Sequence, residues 1–246
     1  MDIPKASLLP HTWEVPQVFR DRLGRQAGRQ RAMAADGHLL LVLHAVPKAD
    51  DEHRQARFVW RNAKGEYCCN DLRGGVGVLD KHLDEFAETV EHYDERDEKA
   101  VDAEDYFEVL QGLSPVQRAA RHLHQTLQNA REMVPEDRDL INARDRAYDI
   151  ARTAELLYNE AKHSLEFEIA RRTEQQAASA RQMSVSAHRL NLLAAFFFPI
   201  ATMAAIFGVN LQHGLETRWA PLPFVVALGI GLLLGFILKA FVTRPS

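Results

Sequence analysis

The chain changes character near residue 190. Before it, apolar and polar positions interleave; after it, apolar residues run almost unbroken. Early on, "RQRAMAADGHLLLVLHAVP" (Arg29 to Pro47) holds two strand-like runs separated by Asp36-Gly37. That pair suits a type I′ turn, so a hairpin is predicted. "ARFVWRNAKGEYCCN" (Ala56 to Asn70) predicts a second hairpin turning over Asn62 to Gly65, and "DLRGGVGV" then interrupts regular structure. A helical pattern follows from about Leu79 to Leu110. Ser114-Pro115 reads as the cap and first-turn proline of another helix, which reaches about Met133 and ends at Pro135.

From Glu136 to Phe198 there is no glycine or proline. Ala147, Ile150, Ala154, Leu157, Ala161, Leu165 and Ile169 recur at steps of three and four, which marks one apolar face of a long helix. The pattern runs without a breaker into the apolar run that follows, and a helix continuous from Glu136 to Gly208 would extend roughly 100 Å at 1.5 Å per residue. A helix of that length needs cover from copies of itself or from the preceding helices. Toward its end the face thins to Gln176, Ala180, Met183 and Ala187.

Leu190 to Gly208 ("LNLLAAFFFPIATMAAIFG") carries no ionisable group. At about 19 residues it is long enough to cross a ~30 Å hydrocarbon layer. Pro221 to Phe241 is equally apolar until Lys239. Arg171, Arg172, Arg181 and Arg189 precede the first run, Lys239 and Arg244 accompany the end of the second, and only Arg218 lies between them. This asymmetry places both termini in the cytoplasm and the connection outside. Trp219 suits the outer interface. The expected fold class is an α-helical membrane protein with two transmembrane helices, a long stalk helix and a small α/β cytoplasmic domain. The expected divisions are 1–135 for the cytoplasmic domain, 136–189 for the stalk and 190–210 for the first span. The external loop is 211–218, the second span 219–241 and the cytoplasmic tail 242–246.

The totals of 246 residues, 26% charged and 46% hydrophobic, average over these two halves and conceal the split. A formal net charge of -4 with no basic stripe gives no reason to expect nucleic acid as a partner. Cys68 and Cys69 are adjacent, in a pattern unlike a disulfide framework. On a strand they would point to opposite faces. "MDIPKASLLPHTWE" lacks the basic-then-apolar order of a cleaved signal peptide. The histidines are scattered, with no closed zinc spacing, no nucleophile beside a base and no phosphate-binding glycine loop. An enzyme is not expected, nor a permanently bound cofactor.

Two C-terminal apolar runs, a long helix feeding the first, Pro199 within it and the exit Gly208-Val209-Asn210 together resemble the CorA/ZntB superfamily of divalent-cation channels and transporters. The resemblance is specific over residues 181–216. The usual exit there reads Gly-Met-Asn with a Met-Pro-Glu stretch soon after. Here Val209 stands in place of the methionine, "LQHGLE" follows without the proline, and Glu216 falls where the loop acid would be. The resemblance implies a homopentamer in the inner membrane with the first spans lining a central pore. Its cargo would be Mg²⁺, or Zn²⁺, Co²⁺ or Ni²⁺. The alternative is a pentameric membrane scaffold or metal sensor with little or no transport.

On that reading Gly208, Val209, Asn210 and Glu216 form the pore mouth. Five Asn210 amides make a neutral ring of acceptors for a hydrated ion. Taken alone, Gly208 and Asn210 are equally ordinary helix-end residues, and Glu216 an ordinary loop charge. Asn191 and Thr202, eleven apart, share a face that His188, Ala187 and Ser184 extend. Polar groups in a span tend to face a cavity, but Asn191 also suits an interhelical hydrogen bond and Thr202 a bond to its own helix backbone. Phe198 suits either a dewetting constriction or packing against lipid or a neighbouring subunit. In the acid-rich stretch from Asp80 to Glu108, Glu91, Asp94 and Asp97 are candidates for sensing internal metal, against the plainer reading of a solvated helix face.

Overall fold

A computed structural model describes residues 8–48, 54–72, 77–208 and 222–242; within the last helical segments the side chains of 204, 206–208, 222–224, 227, 228, 238, 239, 241 and 242 lie outside the description. The elements in order are α1 (Gln17–Asp21), β1 (Arg31–Ala35), β2 (His38–His44), β3 (Ala56–Arg61), β4 (Tyr67–Cys69), α2 (Val78–Lys99), α3 (Ala103–Met133), α4 (Arg138–Gly208) and α5 (Leu222–Val242). The chain divides into two compact units, Met1–Ala170 and Arg171–Ser246.

In the first unit the strands form an antiparallel meander in the order β1-β2-β3-β4. Asp36 and Gly37 both take positive φ, 52° and 76°, as the predicted turn between β1 and β2 requires. Leu41 sits opposite Ala32 on one side and Val59 on the other. Alternation along β2 sends Leu39, Leu41 and Leu43 to one core and Leu40 and Val42 to a second. The first core is completed by α2, α3 and the start of α4. The second is covered by Leu9 and Phe19, the latter on α1, a short helix that no periodicity announces. Cys69 packs against the first core and Cys68 against the second, and both are free thiols.

The helical stretch predicted from Leu79 to Leu110 is two helices. It breaks at Ala100 because Asp102 caps the next one. The Asp102 carboxylate accepts from the Glu104 and Asp105 backbone N–H groups, and Asp105 accepts in return from the Asp102 N–H. This capping box starts α3 eleven residues ahead of Ser114. Pro115 therefore lies inside α3 instead of opening it. Gly112, one turn earlier, lets Tyr93 of α2 lie directly against the backbone; a Cβ there would sit 2.2 Å from the Tyr93 hydroxyl.

α4 is continuous over 71 residues. Ala147, Ile150, Ala154, Leu157 and Ala161 are buried, as the periodicity predicts, and so are Leu140 and Ala143 before them. The face stops there: Leu165 is half-buried and Ile169 is exposed. Residues 169–191 are exposed on all sides. In the second unit, α4 packs against α5 near residues 196–200. Gly231 approaches Ile200 and Gly235 approaches Phe196 so closely that a Cβ would lie 3.3 Å and 3.2 Å from their side chains. Phe196 also meets Phe236 edge to face at 5.8 Å. Among the described residues, no helix is long and apolar enough to cross a membrane. Both apolar runs read from the sequence extend across residues or side chains outside the description.

Candidate functional site

The features that organise the site begin where the sheet meets the long helix. Asp137 precedes α4, and one carboxylate oxygen accepts the Asp139 and Leu140 N–H groups at the first turn. The other oxygen accepts from Arg61 of β3 and from the Tyr67 hydroxyl of β4, the latter at 3.1 Å. Burial raises the Asp137 carboxyl, but the hydrogen bonds from Arg61, Leu140 and Tyr67 outweigh it and hold it below the usual range. The Tyr67 hydroxyl is driven up, first by burial and then by Asp137. Arg146, two turns further along α4, bonds Asp80 and Asp84 of α2 at 3.1 and 2.7 Å. A buried hub sits on the sheet beside these contacts. Arg57 bonds Asp71 and Glu85 and donates to His82 Nδ1 at 2.7 Å. Burial first, and then Arg57, push His82 down to about 3, so its ring is neutral at physiological pH.

Arg57, Arg61, Tyr67, Asp137 and Arg146 are ordinary hydrophilic positions in the sequence, whereas Asp80, Asp84 and Glu85 belong to its acid-rich stretch. Asp137 two places after Pro135 is the signal that was available. The pair Gly231 and Gly235, four apart in an apolar helix, is the other.

The predicted site residues fall into three groups. Ser184, Ala187, His188, Asn191, Phe198 and Thr202 all lie on α4 and are exposed. The face of α4 turned to α5 carries Leu192, Ala195, Phe196, Pro199, Ile200 and Met203, all partly covered. At 3.6 residues per turn, Ser184, Asn191, Phe198 and Thr202 fall on a separate stripe, about a quarter to a third of a turn away. The Thr202 hydroxyl donates to the Phe198 carbonyl at 2.8 Å, the local bond anticipated as one of its two readings. Gly208 is the last residue of α4. Val209, Asn210 and Glu216 lie outside the described residues.

Of the acids, Glu91, Asp94 and Asp97 are on α2. Asp97 Oδ1 is buried without a hydrogen-bond partner. Its carboxyl is raised by burial first, then by Glu160 of α4 and by Asp94. Asp80 and Asp84 are taken by Arg146 instead. Among the described residues no group of three or more His, Cys, Asp or Glu is placed to hold a metal ion.

No protein-family model and no curated protein matches the chain. Among solved structures, the full-length CmaX protein is similar over 92% of this chain and 82% of its own, at 15% identity and a TM-score of 0.51. The CorA magnesium transporter from Methanocaldococcus jannaschii is similar over 89% and 80%, at 12% identity and a TM-score of 0.41. The CmaX likeness is one of fold. This chain's own arrangement is a small antiparallel sheet, packed helices and a helix of 71 residues.

Proposed function

We propose that the chain is a CorA-like divalent-cation transporter that works as a homopentamer in the inner membrane, with both termini cytoplasmic. The observation that carries this reading is the exposed stripe of Ser184, Asn191, Phe198 and Thr202 on α4, set apart from the face turned to α5. Two apolar runs of membrane-spanning length support insertion: Leu190 to Gly208 and Pro221 to Phe241. Five copies of the stripe facing one axis would line a wet path.

The chemistry of that path follows from the cargo. Mg²⁺ gives up its water reluctantly. Water held on a cation points its hydrogens outward, so a path for the hydrated ion needs acceptors. Thr202 is suited to this because its proton is committed to the Phe198 carbonyl, which leaves its oxygen as an acceptor. Asn210 would offer a carbonyl oxygen at the mouth, neutral enough to release the ion. Glu216 would raise the local cation concentration there. On the cytoplasmic side, the Asp97 carboxyl is raised by burial first and then by Glu160 and Asp94, so neutralising nearby negative charge would favour its ionised form.

The test is ion flux into proteoliposomes holding the purified chain. Uptake of Mg²⁺, Zn²⁺, Co²⁺ or Ni²⁺ is expected, and Asn210→Ala should abolish it while the oligomer stays intact. Absence of flux for all four ions, at any internal metal concentration, rejects transport and leaves the scaffold or sensor reading. Unchanged flux in Asn210→Ala removes that residue from the mechanism.

A further inference from the structure

The first unit contains a cavity of about 650 Å³ that the transport reading does not use. It lies between α3 and α4 and is closed at one end by the chain leaving β2 and entering β3. Its size falls within the range of small-molecule sites. Lys48, Arg54 and Arg118 line it, and no carboxylate does among the described residues.

Arg57, Arg61, Arg96 and Arg146 each hold a carboxylate. Among the described residues, Arg54 and Arg118 hold none. Arg118 is anchored by its own Nε, which donates to the Ser114 carbonyl one turn back along α3. This leaves the outer fork of the guanidinium available for a two-pronged bond to an anion. The cations are exposed, so they form the rim. Phe107, Leu110, Tyr158 and Leu165 supply the apolar wall, and Phe107 keeps 59% of its surface exposed. His44, also in the lining, is lowered by burial first, and Arg54 and His122 add to that against the hydrogen bond its Nε2 donates to the Gly28 carbonyl.

We propose that this cavity binds an organic anion, with a phosphate or carboxylate head on Arg54 and Arg118 and an apolar body against Phe107 and Tyr158.

Isothermal titration calorimetry tests this on the full chain in lipid nanodiscs, in metal-free buffer, with phenyl phosphate and inorganic phosphate as probes. Saturable binding of phenyl phosphate is expected, at least tenfold tighter than inorganic phosphate. Arg54→Gln or Arg118→Gln should weaken it at least fivefold. Both side chains are exposed, so an unchanged melting temperature separates lost binding from lost folding. Residues 49–53 lie outside the description but contain Asp50, Asp51 and Glu52, so a variant with all three neutralised controls for local charge. The proposal is overturned if the wild-type chain shows no saturable binding, if binding appears only in the neutralised variant, or if both arginine variants bind like wild type. Equal affinity for the two probes overturns the apolar half of the assignment.

Discussion

One helix, α4, meets two different environments. Its first part, through Ala161, presents an apolar face at steps of three and four and buries it against α2, α3 and the sheet. From residue 169 to 191 the same helix has no cover. The first part is held by packing, by the Asp137 clasp to β3 and β4, and by the Arg146 bridge to α2. The second has Met183, Val185 and Leu190 exposed among polar residues. Packing of an amphipathic face usually supplies most of a helix's stability. An uncovered stretch this long is therefore one that self-association would complete, in line with the proposed pentamer.

That contrast can be broken at either end. Phe86→Ala empties a fully buried position in the core under α4, and a loss of about 3–5 kcal/mol in chemical denaturation is expected. Met183→Ala, by contrast, should change the stability of dissociated protomers by no more than about 0.5 kcal/mol, while weakening the oligomer in native mass measurements. A large Met183 effect on the protomer would show that 169–191 already has cover within one chain.

Asp137→Ala is expected to cost roughly 3 kcal/mol, because it strands a mostly buried Arg61 and removes the cap of α4. Hydrogen exchange should rise first at the start of α4. The pH dependence follows from its depressed carboxyl. Its contribution is complete above the ordinary value of about 4 and is lost as pH falls through the lowered one. Acid melts of wild type and Asp137→Ala should therefore converge well below pH 4.

In the second unit, Gly235→Ile sets a branched side chain against Phe196 and should cost about 1–3 kcal/mol as α5 is pushed off α4. Loss of disulfide trapping between cysteines placed at Ile200 and Gly231 would report the separation.

The smallest effect sharpens the electrostatic side. Asp97 is raised by burial, Glu160 and Asp94, so its ionisation works against folding. The favourable contribution is whole below the ordinary carboxyl range and disappears as pH rises through the raised value. Asp97→Asn should thus stabilise the chain at pH 7 by less than ~1 kcal/mol, discounted for the exposed part of the group, and should not do so at pH 3. Mg²⁺ should stabilise wild type more than the variant; an equal response would separate Asp97 from metal sensing.

Local chemistry explains why much of this was legible in the sequence. Asp36-Gly37 dictates its turn, alternation along residues 39–43 dictates a strand with two buried faces, and an unbroken stretch from Glu136 dictates a long helix. The same rules miscarried at Ser114-Pro115, because Asp102 and Asp105 close a capping box earlier and the proline is carried inside a helix already under way. The exposed stripe of α4 was likewise readable, since eleven residues are close to three turns and Asn191 and Thr202 must then share a side. What only the tertiary structure decided is which partners distant residues meet. Asp137 finds Arg61 and Tyr67 across 76 and 70 residues of chain, Asp97 feels the charge of Glu160, and Arg54 and Arg118 come to one cavity. Periodicity sets the side of a helix or strand a residue occupies; pairings over such distances depend on how whole elements pack, and no local pattern encodes them.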